Sequence, residues 1–255
     1  MEGRLMKTKS IGIIDSGLGG YSFYHTLTRE FPEVSFVLIA DQANAPFGDK
    51  SKEELSEIAN KLIDRFHKMG ISLILIACNT LSASVLKEMR DEFPEVELIS
   101  IIDLTISQIK DSAKRILVIA TTATINQKAY SKALSKSHKN AWINEVATPK
   151  LVDLIEGLAN DSDIDEVLEE YLSDKSKVDT IVLGCTHYPL IKKNIEKITN
   201  ANQVDALEGS IEYFNKISEL PLGTSKVFTT LDAKRFAHQI KTLFNDDVAV
   251  EEIVL

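Results

Sequence analysis

Cysteine is scarce in this sequence: only Cys78 and Cys185 occur among its 255 residues. Two cysteines cannot build the dense disulfide framework of a small secreted protein. In a reducing compartment they are not expected to form a structural disulfide either. Free cysteine is commonly a small buried hydrophobic side chain, which is the simplest interpretation of the pair. The surroundings of both residues in the chain favour a chemical role instead.

Excess positive charge and long apolar runs are also missing. The formal net charge is −9, and no Lys/Arg cluster is dense enough to follow a phosphate backbone, so nucleic acid is a poor candidate partner. No apolar run approaches the ~20 residues that cross a bilayer, and no signal-peptide core opens the chain. We therefore expect a cytoplasmic protein that does not associate with a membrane. We expect no structure in Met1–Lys9, where Met6 could be the natural start.

Two stretches, Leu73–Thr80 and Thr180–His187, share one pattern. Each is a continuous apolar run followed by a small residue, a cysteine and then hydroxyl or amide side chains. Such runs suit strands that are buried on both faces of a parallel sheet. Each cysteine then lies at the carboxyl end of a strand, where open α/β sheets bind ligands.

The first half of the chain predicts alternating strands and helices. The strand Ser10–Ile14 leads into a glycine-rich loop, whose backbone can approach a ligand closely but whose spacing is not that of a dinucleotide site. A capping box at Ser51–Glu54 opens an amphipathic helix that ends at Gly70. The remaining predicted elements are helices over Tyr21–Glu30 and Leu81–Glu92 and strands over Val34–Ala40 and Val96–Ile101.

The second half repeats this plan. Asp15 precedes Cys78 by 63 positions and Thr121 precedes Cys185 by 64, each pair linking a polar loop after one strand to the cysteine after another. The other predicted strands are residues 115–120, 142–147 and 226–229. Two predicted helices contain Tyr130 and Glu156, a third runs from an Asp163 cap to about Lys175, and a fourth begins at Pro189. The last two helices are predicted over Gly209–Glu219 and Asp232–Phe244.

This repetition predicts an α/β protein of two similar domains with mainly parallel sheets, which face each other across a ligand cleft. The tail has no counterpart in the repeat, so we expect it to return to the first domain. The predicted division is residues 1–102 plus 212–255 for the N-terminal domain and 103–211 for the C-terminal domain.

A thiol on each side of a cleft suits proton removal from one face of a carbon and proton return to the other face. The thiol pKa of ~8.5 needs little adjustment for acid–base work near neutrality. Asp15 and His187 are candidate proton relays. Hydroxyl, amide and backbone groups of the neighbouring loops could bind an amino-acid carboxylate; these are Ser16, Asn79, Thr80, Thr121 and Thr186.

Other uses of these residues fit less well. A zinc site of Cys78, Cys185 and His187 lacks a clear fourth ligand and paired-cysteine spacing. A hydrolase with a Cys185–His187 pair would leave Cys78 without a role. The remaining histidines lie in helical patterns and are expected at the surface: His25, His67, His138 and His238.

Four motifs in order carry a family resemblance: Asp-Ser-Gly-Leu-Gly-Gly at 15–20, Pro-Phe-Gly at 46–48, Ala-Cys-Asn-Thr at 77–80 and Leu-Gly-Cys-Thr-His-Tyr-Pro-Leu at 183–190. The set resembles that of bacterial glutamate racemases. The resemblance implies two flavodoxin-like domains and a cofactor-independent, metal-free interconversion of L- and D-glutamate. It also implies a supply of D-glutamate for peptidoglycan synthesis, hence for cell-wall biogenesis and cell shape, and a homodimer.

The resemblance also assigns roles. Cys78 and Cys185 would be the acid–base pair, with Cys185 taking the proton from L-glutamate and Cys78 from D-glutamate; Asp15 and His187 would assist them, and Glu156 would be a nearby acidic residue. The implied substrate-binding residues are Asp15, Ser16, Pro46, Phe47, Gly48, Asn79, Thr80, Thr121, Thr124, Thr186 and His187. The sequence departs from the family at Phe47, usually Tyr, and at Ala123 and Leu231, both usually Gly.

Two alternatives stay open at this point. A related enzyme could act on aspartate or another small acidic compound, although the motif at residues 15–20 favours glutamate. A binding or regulatory protein could keep the fold without turnover, although such a protein needs no matched thiols.

Overall fold

The structure is a computed structural model that describes residues 8–173 and 177–255. Its first sheet has the strand order β10-β9-β2-β1-β3-β4, and all neighbouring strands are parallel. The central strands are fully buried, as continuous Ile/Leu/Val runs require. The six strands of this sheet are β1 (Ile11–Asp15), β2 (Phe36–Ala40), β3 (Leu73–Ile76), β4 (Glu97–Ser100), β9 (Lys226–Thr229) and β10 (Val250–Glu252).

The second sheet has the strand order β6-β5-β7-β8, again with parallel neighbours. Its strands are β5 (Arg115–Ala120), β6 (Trp142–Ala147), β7 (Thr180–Gly184) and β8 (Asn202–Val204). The predicted α/β class with two parallel sheets is therefore confirmed. Strands β8 and β10 were not predicted, because they are three-residue edge strands with partly exposed side chains and no apolar run to mark them.

Helices connect the strands, as parallel pairing requires. The helices of the first half are α1 (Leu18–Glu30), α2 (Lys52–Lys68), α3 (Asn79–Ser84), α4 (Leu86–Glu92) and α5 (Ile101–Ser107). Those of the second half are α6 (Thr122–Asn126), α7 (Ala129–Ser137), α8 (Lys150–Glu156), α9 (Asp161–Leu172) and α10 (Lys192–Ile198), and the tail adds α11 (Leu207–Asn215) and α12 (Ala233–Phe244). Short 3₁₀ turns occupy Gln42–Asn44, Phe47–Asp49 and Tyr188–Ile191.

The start of α2 is the clearest local prediction. Ser51 accepts the Glu54 backbone N–H, and the Glu54 carboxylate accepts the Ser51 backbone N–H, so both halves of the capping box are present. Gly70 follows the helix with φ of +76°, a left-handed conformation that glycine adopts without strain.

Several predicted elements need correction. The single helix over Leu81–Glu92 is two helices, because the backbone of the buried Val85 leaves the helical conformation at φ −135° and ψ 1°. The cap of α9 is Asn160, whose side chain accepts the Asp163 backbone N–H. The predicted helix end near Lys175 lies outside the described residues.

The expected surface position of His138 is wrong. Its side chain is 7% exposed, because α7 ends at Ser137 and the chain turns inward, with the Ser137 hydroxyl 2.9 Å from the imidazole Nδ1. His67 and His238 are exposed, and His25 is half-buried beside Asp246.

The tail strands β9 and β10 extend the first sheet next to β2. One apolar cluster is continuous between the two sheets, with Ile13 and Leu75 on one side and Val118 and Val182 on the other. The division at residues 102 and 212 stays a prediction. No helix within the described ranges is long and apolar enough to cross a membrane.

Candidate active site

The two cysteines lie at the carboxyl ends of central strands in different sheets. Cys78 follows β3 and forms the N-cap of α3, where its backbone N–H donates to the Ile14 carbonyl of β1. Cys185 follows β7 directly. Both thiols are buried, at 5% and 6% exposure, and both line the same cavity. Because the two sheets meet at these strand ends, the thiols enter the cavity from opposite halves of the protein.

This cavity is small, at about 30 Å³. The cavity lining combines loops of both halves: Ser16, Pro46, Phe47, Gly48, Asp49, Cys78, Asn79, Thr80, Thr121, Thr122, Pro149, Val152, Asp153, Cys185, Thr186 and His187.

Most of the predicted site residues are thus brought together. Three of them, Asp15, Thr124 and Glu156, lie behind the lining rather than in it. Five lining residues were not predicted. Asp49 and Thr122 directly follow predicted residues, so extending those loops by one position would have included them. The other three lie at the start of α8, where no recognised motif marks them: Pro149, Val152 and Asp153.

Asp15 is fully buried at the end of β1, behind the cavity wall. Its carboxylate accepts the Gly17 backbone N–H at 2.9 Å and the Thr186 hydroxyl at 3.0 Å, which ties the first half to the Cys185 loop. Burial raises the pKa of this carboxyl, although nearby His187 opposes the shift. Burial, with a smaller contribution from the Asp15 charge, also raises the pKa of the Cys78 thiol well above its ordinary value. The protonated thiol is therefore the favoured resting form of Cys78.

A relay of neighbouring side chains runs from Cys185 through His187 to Glu156. The Cys185 Sγ lies 3.6 Å from His187 Nδ1, and His187 Nε2 donates to Glu156 Oε1 at 2.7 Å. Burial lowers the pKa of His187, but the hydrogen bonds to Cys185 and Glu156 outweigh it and hold this pKa well above its usual value. Burial raises the pKa of Glu156, but the His187 interactions prevail and lower it. An imidazolium beside Cys185 can stabilise the thiolate or return a proton to it.

The glycine-rich loop lets the two halves approach closely. A Cβ on Gly17 would lie 3.1 Å from Glu156 Cδ, and the Leu18 N–H donates to Glu156 Oε1 at 2.9 Å. A Cβ on Gly19 would lie 2.9 Å from the backbone carbonyl carbon of Thr186. The loop therefore packs against the second half at the two points that hold His187 and Cys185.

Hydroxyl and amide groups on the opposite wall also join the halves. Thr121 Oγ1 is 3.0 Å from both Thr80 Oγ1 and Thr124 Oγ1. The buried Tyr130 hydroxyl donates to the Asn79 amide oxygen at 2.6 Å. These groups offer both donors and acceptors to a bound carboxylate.

A second cavity of about 190 Å³ adjoins the first and shares Ser16, Pro46, Val152 and Asp153 with it. Glu156 lines this outer cavity, together with Arg235 and the exposed Leu231. No cluster of three or more His, Cys, Asp or Glu side chains within residues 8–173 and 177–255 is arranged to hold a metal ion. The described residues thus give the zinc alternative no support.

Comparison with known proteins places this geometry in context. The Asp/Glu/Hydantoin racemase family model matches residues 11–211. Glutamate racemase from Aquifex aeolicus is 33% identical over 93% of this chain and 95% of its own, and that from Oceanobacillus iheyensis is 31% identical over 93% and 92%. The crystal structure of glutamate racemase from Francisella tularensis in complex with D-glutamate has a TM-score of 0.86 at 27% identity, with 97% of this chain and 98% of that chain covered.

The fold and these matches define an amino-acid racemase, an isomerase that inverts a stereocentre. The thiols in one cavity are groups able to perform such a proton transfer. Within this class, the chain belongs to the Asp/Glu/hydantoin racemase family.

Proposed function

We propose that this protein interconverts L- and D-glutamate with Cys78 and Cys185 as the two acid–base groups. One observation carries the proposal: thiols from two different sheets line a single cavity, and one of them, Cys185, lies 3.6 Å from the Nδ1 atom of the buried His187. Inversion requires one group to remove the α-proton while another delivers a proton to the opposite face, and thiols entering from opposite halves meet that requirement.

The surroundings of the two thiols suit different roles. Cys78, whose pKa is raised, starts as the protonated donor when L-glutamate is the substrate. Cys185 then acts as the base that removes the α-proton, and His187 Nδ1, 3.6 Å from its sulfur, is placed to assist it. For D-glutamate the two roles exchange. Asp15, whose charge contributes to the raised pKa of Cys78, assists that thiol, and Glu156 fixes the His187 ring that assists Cys185.

The cavity walls are proposed to bind the two carboxylates and the amino group of glutamate. Their hydroxyls and backbone N–H groups can hold anionic oxygens without a lysine or arginine in the inner lining. The proposed substrate-binding residues of the lining are Ser16, Pro46, Phe47, Gly48, Asn79, Thr80, Thr121, Thr186 and His187, and Asp15 and Thr124 are proposed to support them from behind it.

The proposal extends to the cellular role. A cofactor-independent glutamate racemase in the cytoplasm would supply D-glutamate for peptidoglycan synthesis, and so contribute to cell-wall biogenesis and cell shape. We also propose that the protein acts as a homodimer. Curated relatives that are glutamate racemases, each covered over almost its full length, support glutamate rather than aspartate as the substrate.

The direct test incubates the purified protein with L-glutamate, and separately with L-aspartate, and follows each enantiomer by chiral chromatography. Wild type should convert glutamate without added pyridoxal phosphate and after exhaustive chelation. Cys78→Ala and Cys185→Ala should each abolish the reaction, whereas Ser135→Ala, an exposed hydroxyl on α7, should leave it unchanged. Faster turnover of aspartate, full activity in either cysteine variant, or chelation loss restored by metal would overturn the proposal.

A further inference from the structure

Helix α12 of the tail carries a buried amide that reaches into the active-site relay. Gln239 is 3% exposed, although it lies on a surface helix that belongs to the first half of the fold. Its Nε2 donates to the Glu156 backbone carbonyl at 2.7 Å and to Glu156 Oε2 at 3.3 Å. Its own Oε1 accepts the Gln42 amide N–H at 3.3 Å. A buried amide with this set of partners is fixed in one orientation.

The two carboxylate oxygens of Glu156 have different hydrogen-bond partners. Oε1 already accepts from His187 Nε2 and from the Leu18 backbone N–H. Glu156 lines the outer cavity, and its Oε2 accepts from Gln239 Nε2. Without this contact the carboxylate could rotate about its terminal torsion, which is broad for Glu, and Oε1 would leave the His187 ring.

We infer that Gln239 is a positioning residue that locks the Glu156 carboxylate, and through it His187, in the geometry that Cys185 needs. The inference rests on the proposed racemase function. Gln239 lines neither cavity, and its hydrogen bonds join it to Glu156 and Gln42, so it acts on His187 through Glu156. Helix α12 thereby brings a hydrogen-bond donor of the tail to a carboxylate of the second half.

Other charged groups also lie near Glu156 and His187. Asp153, Asp232 and Arg235 line the outer cavity with Glu156, while Cys185 and Asp15 face His187 from the inner side. None of them is altered by a substitution at Gln239. A change in the relay after such a substitution therefore reports on the lost amide.

The test compares Gln239→Met, which keeps the length of the side chain but removes its hydrogen bonds, with the control His238→Ala on the exposed side of the same helix. In Gln239→Met, kcat/KM for L-glutamate should fall about tenfold, as expected for the loss of one hydrogen bond to a charged group. The acidic limb of the pH profile should move to higher pH, because removing a donor to an ionised carboxylate favours its protonated form. His238→Ala should match wild type in both respects.

A double-mutant cycle separates positioning from general destabilisation. In a Glu156→Gln background, adding Gln239→Met should reduce kcat/KM by less than twofold, because the carboxylate that Gln239 orients is already gone. An additive tenfold loss, or an unchanged pH profile with wild-type kcat/KM in Gln239→Met, would overturn the inference. Wild-type protein without racemase activity would instead refute the proposed function, so the two failures are distinguishable.

Discussion

Replacing Gly19 by alanine tests whether the glycine-rich loop serves the close contact between the two halves. Gly19 lies in the first turn of α1, where alanine is favoured over glycine by about 1 kcal/mol on helix propensity alone. A substitution that met open space would therefore stabilise the protein. The new Cβ would instead lie 2.9 Å from the Thr186 carbonyl carbon and overlap the Thr186 hydroxyl.

The cost of this clash exceeds the helix gain. Overpacking of this kind costs about 1–3 kcal/mol, and a backbone atom cannot be rotated away as a flexible side chain can. Moving the Thr186 hydroxyl also breaks its 3.0 Å bond to Asp15, at about 1 kcal/mol. We expect Gly19→Ala to lower the free energy of unfolding by about 1–3 kcal/mol. Displacing the loop beside Cys185 should reduce kcat/KM at least about tenfold, since misplacement by about 1 Å can cost a hundredfold.

Urea unfolding followed by circular dichroism gives the stability, and chiral chromatography gives the activity. Ser22→Ala on the same helix is the control, because it adds no atom and should retain wild-type activity. A Gly19→Ala protein as stable and as active as wild type would refute the role that we assign to this loop.

Three further predictions concern His187, its pair with Glu156, and the cap of α2. His187→Asn should lower kcat more for L-glutamate than for D-glutamate, with KM compensating because the equilibrium cannot change; equal losses of kcat would contradict its pairing with Cys185. The Glu156–His187 ion pair stabilises the fold in the pH window between the lowered pKa of Glu156 and the raised pKa of His187. Its contribution is lost as pH falls through the former or rises through the latter. The stability difference between wild type and Glu156→Gln, from urea unfolding across pH, should therefore be largest inside that window, and a flat difference would exclude this pair as its source. Ser51→Ala should cost about 1 kcal/mol through loss of the α2 cap. It should leave kcat/KM unchanged, and a loss of activity would show that α2 influences the site.

Much of the fold could be predicted because local sequence patterns and the tertiary structure agree at the central strands and at the start of α2. The continuous apolar runs before Cys78 and Cys185 became central strands, and the Ser51–Glu54 pattern became a complete capping box. At Val85 the local pattern and the tertiary structure disagree. The buried residues on both sides continue a helical spacing, so periodicity alone could not reveal the break between α3 and α4.

The candidate site was predictable in its loops but not in its connections. Each lining motif follows a strand, so the sequence indicates its place at a sheet edge. The contact of Gln239 with Glu156 joins residues 83 positions apart on elements of opposite halves. No local pattern encodes such a contact, because it depends on how the tail helix docks. The position of Asp15 behind the cavity wall likewise follows from packing that the motif at residues 15–20 does not describe.

The central claim is that two thiols act on opposite faces of one carbon, and hydrogen isotope incorporation tests it most directly. The protein is placed in D₂O with L-glutamate, and the two enantiomers are separated at early times for mass spectrometry. We predict deuterium at Cα in the first D-glutamate formed, because the donor on the far face has already exchanged with solvent, while the unreacted L-glutamate keeps its protium. Abundant protium in the first D-glutamate, or deuterium appearing in both pools together, would contradict the two-cysteine mechanism.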